Sequence, residues 1–148
     1  MKVFIDTNVF IEYIEHRLQY AYVRQIFNAL EDREIDGVLS QGSYYTITYA
    51  IEMGLKRMGV HNPEKRERVR NALDVVLNLA SVVGMPHESF ASAIKNRNFN
   101  DIEDCFQYMC AIDNSCDVLL TINIKNFRGA DNDTLRIMTP EQFVQEFL

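Results

Sequence analysis

Val3-Phe4-Ile5-Asp6-Thr7-Asn8-Val9-Phe10 is the stretch on which the reading of this chain turns. Three consecutive apolar residues read as a strand buried on both faces, as in parallel sheets. Asp6 then stands at the sheet's carboxyl edge, where open α/β folds bind their ligands. A second block, Asp101-Ile102-Glu103-Asp104 followed by Val118-Leu119-Leu120-Thr121-Ile122-Asn123, repeats the pairing of an acid with a strand. Together the two blocks suggest carboxylates converging on a divalent metal.

Outward from these blocks, hydrophobic spacing predicts strands at 2–5, 37–40, 81–83, 118–121 and 136–138. Helices are expected at 7–14, 19–31, 42–58, 63–79, 86–94, 101–114 and 140–148. Thr7 reads as an N-cap and Asp36-Gly37 as a turn, and Thr139-Pro140-Glu141 opens the last helix. Ile47, Ala50, Ile51, Leu55 and Met58 mark the inner stripe of the third helix, with Tyr44, Tyr45 and Tyr49 expected to pack against the core rather than stack on bases. Strands alternating with helices predict a mainly parallel central sheet between two helical layers, an α/β/α sandwich.

Composition narrows the function. At 148 residues and 47 % hydrophobic, the chain reads as one domain with ample core. A net charge of −6 argues against a surface generally coated by nucleic acid. It is compatible with an acidic metal site that handles phosphates through the metal. Cys105, Cys110 and Cys116 form no C-x-x-C pair and are odd in number, so they read as reduced packing thiols. The N-terminus does not read as a signal peptide, and no apolar run approaches the roughly 18 residues of a membrane span. A cytoplasmic protein with no membrane association is expected.

Phosphodiester hydrolysis needs an activated water and neutralisation of charge on the attacked phosphate, and Mg²⁺ or Mn²⁺ held by carboxylate oxygens supplies both. Asp6 and Asp104 are the candidate ligands. Asp101 shares a helical face with Asp104 if both are helical, and Asn123 would line the same edge. Capping alone also accounts for Asp101, and a turn for Asn123; the joint pattern favours the metal. Lys56, Arg57, Lys65, Arg66, Arg68 and Arg70 cluster in sequence and are candidates to grip an RNA backbone near the acids, although Glu64 and Glu67 interleave as on a solvated face. His16, His61 and His87 show no ligand spacing.

The stretch from Val3 through Asp6-Thr7-Asn8 to Ile11 resembles the opening signature of the PIN domain family, the metal-dependent nucleases that include virulence-associated protein C-type toxins. Asp101-Ile102-Glu103-Asp104 through Ala111 is similar to that family's late acidic helix. Val118 through Phe127 resembles its fourth-strand motif, and Met138 through Phe143 its ending. The resemblance implies an α/β/α sandwich and a Mg²⁺ or Mn²⁺ site on Asp6 and Asp104, with Asp101 and Asn123 assisting. Asn8, Thr46 and Thr121 would support those ligands. It also implies ribonuclease activity on RNA, an antitoxin protein partner and a homodimer, the chain being the toxin of a prokaryotic toxin–antitoxin pair.

One departure bears on catalysis. The family expects an acid six residues after the second strand's terminal Ser, and that position is Thr46. The nearest acid, Glu52, lies a further six residues on, about 240° around the helix. A site short of one carboxylate binds metal more weakly. The competing expectation is therefore a PIN-like module with reduced catalysis that binds RNA or a protein partner.

Overall fold

The computed structural model describes residues 1–130 and 132–148. Five strands, β1 (Lys2–Ile5), β2 (Asp36–Ser40), β3 (Ala80–Val83), β4 (Val118–Leu120) and β5 (Arg136–Met138), form one parallel sheet in the order β3-β2-β1-β4-β5. Their side chains alternate between two cores. Val3 and Ile5 face one core, with residues of α1 (Thr7–Ile14), α2 (Tyr20–Glu31), α3 (Gln41–Arg57), α4 (Glu64–Leu79) and α7 (Pro140–Phe147). Phe4 faces the other, in register with Val38 and Leu119 across the sheet, against α5 (His87–Lys95) and α6 (Ile102–Asp113). The expected α/β/α sandwich is the observed fold.

Strand order creates the functional edge. From β1 the chain builds outward through β2 and β3, then returns to place β4 on the other side of β1. The crevice at such a reversal is where open α/β sheets bind ligands. The ladder continues just past both strands: Asp6 N–H donates to Leu120 O at 3.0 Å, and Thr121 N–H to Met138 O at 3.0 Å. Asp6 and Thr121 are thereby fixed side by side.

Several local expectations are corrected. Thr7 is the first residue of α1, and the N-cap position belongs to Asp6, whose carboxylate makes no capping bond. Asp36-Gly37 is already strand, paired with Lys2 and Val3 of β1, and only glycine fits at 37 because a Cβ there would lie 2.6 Å from Leu79 O. Asp101 is the N-cap of α6 rather than part of the helix. The buried stripe of α3 is Ser43, Ile47 and Leu55, with Tyr44 and Ile51 packed against the core. Tyr45 and Tyr49, each two residues and so about 200° away from a buried member, are 65 % and 64 % exposed. Met58 lies beyond the helix end and is also exposed.

Gly129 fixes the rim of the edge. A Cβ at this position would meet the Asn98 carbonyl at 2.5 Å, so the segment after β4 and the loop before α6 are in backbone contact. Backbone cannot swing aside as a side-chain tip can. Gly129→Ala is expected to cost about 1–3 kcal/mol, read as a fall in melting temperature. An unchanged melt would show that the two loops separate freely.

Candidate metal centre

Asp6 and Asp104 come together at the crevice. Asp6 is 3 % exposed and Asp104 9 %. Burial pushes the Asp6 carboxyl up to about 6, and the nearby Asp104 charge adds to the rise. Thr121 Oγ1 donates to Asp6 Oδ2 at 2.9 Å and opposes it. Asn123 backbone N–H in turn donates to Thr121 Oγ1 at 3.1 Å, so the turn after β4 holds the hydroxyl that holds the acid.

Burial likewise raises the Asp104 carboxyl, with Asp101 and Glu103 adding negative charge and an Asn126 side-chain hydrogen bond opposing them. Among the described residues Asp104 Oδ2 is buried without a hydrogen-bond partner. Two carboxylates at close quarters, one with an orphaned oxygen, form an arrangement that costs free energy until a cation joins it. By this test the pair fits a hard dication. The pair also marks the limit of the fit: no group of three or more His, Cys, Asp or Glu able to hold a metal is found among the described residues.

The remaining sequence candidates fall in different places. Asp101 Oδ1 accepts from the backbone N–H groups of Glu103 at 2.8 Å and Asp104 at 3.4 Å, capping α6 beside the pair. The Asn123 side chain is exposed, and the contribution to the Asp6 relay comes from its backbone. Asn8 is the second residue of α1 and half-buried. Thr46 is exposed and its hydroxyl donates to Gly42 O at 3.2 Å, within its own helix. Glu52 is exposed further along α3.

Lys56 and Arg57 do not line the acids. They lie 13 and 14 residues beyond Ser43, about 20 Å along α3 at the helical rise. Lys65 and Arg66 begin α4, in a groove with Thr48 and Glu52. Their neighbours Arg68 and Arg70 pair with Glu64 and Glu67 at 3.7 and 3.2 Å on an exposed face. The exposed cations close in sequence to Asn126 are Lys125 and Arg128.

Sequence reasoning missed the neutral cluster that completes the site. Gln107 Nε2 donates to Ser43 Oγ at 2.5 Å and Thr7 Oγ1 at 3.0 Å, and reaches Asp6 Oδ1 at 3.5 Å. Ser43 Oγ also lies 2.6 Å from Thr7 Oγ1 and accepts from Ser40 Oγ at 2.9 Å. Ser43, rather than Thr46, is thus the α3 residue whose side chain joins the hydrogen-bonded cluster beside Asp6. A signal existed: Gln107 is three residues after Asp104 and shares its helix face.

A family model described as the PIN domain matches residues 2–125. The chain is 25 % identical to Ribonuclease VapC1 of Aquifex aeolicus (strain VF5) over 151 residues, covering 99 % of this chain and 95 % of the relative. Among solved structures, VapBC2 from Rickettsia felis, bound to a DNA fragment from its promoter, matches with TM-score 0.65 and 16 % identity. That match covers 94 % of this chain and 98 % of the other. A toxin-antitoxin complex from Klebsiella pneumoniae matches with TM-score 0.61 and 19 % identity, over 93 % and 97 % of the two chains. The solved structures speak for the fold, and the family model covers most of the sequence. This chain belongs to the PIN domain family.

Proposed function

We propose that this chain is a Mg²⁺- or Mn²⁺-dependent endoribonuclease acting as the toxin of a toxin–antitoxin pair. The observation that carries the reading is the convergence of Asp6 and Asp104, with the unpartnered Asp104 oxygen, at the crevice between β1 and β4. Full-length similarity to a protein named as a ribonuclease supports it. When bound, a hard dication neutralises charge on the attacked phosphate and makes water nucleophilic near neutral pH.

The chain's own residues then have separate duties. Asp6 and Asp104 hold the cation, Thr121 and Gln107 set the orientation of Asp6, and Asn126 sets that of Asp104. Lys125 and Arg128, exposed beside Asn126, offer contacts to flanking phosphates. An apolar cavity of about 750 Å³ lies elsewhere, between α1, α2, α3 and α4, with Phe10, Tyr13, Ile51, Leu55 and Val75 in its walls. Its apolar lining suits a segment of the antitoxin protein. No helix among the described residues is long and apolar enough to cross a membrane. A cytoplasmic homodimer completes the reading.

The competing module with reduced catalysis is favoured by one observation, a two-carboxylate site in which the Thr46 hydroxyl is bonded within its own helix. Purified protein incubated with a panel of structured RNAs and Mn²⁺ separates the two. Cleavage abolished by EDTA is expected, together with a Mn²⁺-induced rise in melting temperature, since a ligand bound only by the native state stabilises it. A melting temperature indifferent to Mn²⁺ and Mg²⁺, with every RNA intact, would replace the nuclease with the module.

A further inference from the structure

Beside the acid pair, a cavity of about 370 Å³ opens between the start of α3, the end of β3 and the faces of α5 and α6. Three aromatic rings border it. Phe90 and Phe106 meet edge to face with centroids 5.3 Å apart, and Tyr45 borders the cavity from α3. Tyr45 is 65 % exposed, yet its hydroxyl is held by Gln41 Nε2 at 3.0 Å. Thr7, Ser43 and Gln107 also line this cavity, and they are the residues of the neutral cluster at Asp6. The cavity therefore borders the candidate metal centre through these three residues, while Asp6 and Asp104 themselves lie outside its lining.

Its electrostatics select the occupant. No Lys, Arg or His is among its lining residues, and Glu103 contributes a carboxylate. A phosphate would be repelled there, whereas a neutral base would find rings to stack on and amide and hydroxyl groups to hydrogen-bond. We propose that this cavity takes one unpaired base of a single-stranded RNA, which seats the adjoining phosphodiester over Asp6 and Asp104. The inference rests on the ribonuclease reading and adds to it a base-dependent component of substrate binding. Single-stranded RNA is commonly recognised in this way, with splayed bases stacked on aromatic side chains.

The test measures binding, not turnover. In EDTA, fluorescence anisotropy compares a short single-stranded RNA with an abasic ribose-phosphate chain of equal length. The native protein is expected to prefer the RNA, and the Tyr45→Ala, Phe90→Ala double variant to lose about tenfold in RNA affinity while binding the abasic chain as before. Tyr45→Phe, which keeps the ring, should keep native affinity. Both target residues are substantially exposed, so an unchanged melting temperature certifies the fold. Native-like RNA affinity in the double variant overturns the proposal, as does a native protein that binds the two chains equally. Parallel RNA cleavage with Mn²⁺ separates the levels: an active nuclease with indifferent variants loses only the base cavity, whereas an inactive native protein loses the reading beneath it.

Discussion

Asp104→Asn is expected to reduce RNA cleavage about 10³-fold, corresponding to about 4 kcal/mol of lost transition-state stabilisation. The substitution preserves shape and removes one of the two buried carboxylates that meet at the crevice. It also converts the buried, unpartnered oxygen into a neutral amide end, leaving the site about half its ligand charge and sharply lower affinity for a dication. Single-turnover cleavage at saturating RNA over a Mn²⁺ titration reads both consequences. Asp101→Asn is the matched control, since asparagine caps a helix about as well as aspartate. It should cost less than about tenfold if Asp101 acts as a cap. Equal loss in the two variants would promote Asp101 to a ligand, and full activity in Asp104→Asn would remove the acid pair from the mechanism.

Asp6→Asn should have two opposite effects: cleavage falls as steeply as in Asp104→Asn, while the metal-free protein becomes more stable at neutral pH. Burial lifts the Asp6 carboxyl from its ordinary 3.8 to about 6. The folded chain therefore holds this proton more tightly than the unfolded chain does. The group favours folding below about pH 4, and that contribution is lost as pH rises through 6. Above this window the buried charge amounts to a handicap of about 3 kcal/mol relative to the protonated state. The amide carries no such charge and can still accept from Thr121.

In EDTA at pH 7.5, the variant is expected to melt about 3–8 °C above the native protein, with the gap narrowing toward pH 4.5. Saturating Mn²⁺ should reverse the order, because only the native protein gains from the ion. A variant that melts lower than the native protein in EDTA at both pH values would show that Asp6 is a structural residue rather than one held at a cost for function.

Much of this was legible along the chain. The apolar triplets before Asp6 and Thr121 identified two central strands, because short runs buried on both faces carry a signal that needs no tertiary context. Asp6 and Asp104 followed from strand ends and a helix start. Boundaries shifted where spatial neighbours decided them: Gly37 is strand because it pairs with Val3 and Ala80, and Met58 is exposed because α3 ends before it. The Tyr45 and Tyr49 rings were expected inside because apolar content was visible and the phase of the helix was not.

The sequence by itself determined the parallel α/β class and offered Asp6 and Asp104 as candidates, both local matters of residue type and period; the doubt at Thr46 came from the family resemblance instead. Only the tertiary structure decided what stands around those acids. Ser43, Thr7 and Gln107 come from three helices, and they meet because α1, α3 and α6 converge at one sheet edge. Hydrogen bonding between residues 36, 64 and 100 positions apart leaves no periodic trace in a single chain, since it depends on strand order and helix rotation, which long-range packing sets. The same convergence leaves one oxygen of Asp104 buried and unpaired, a vacancy in hydrogen bonding that no spacing rule predicts.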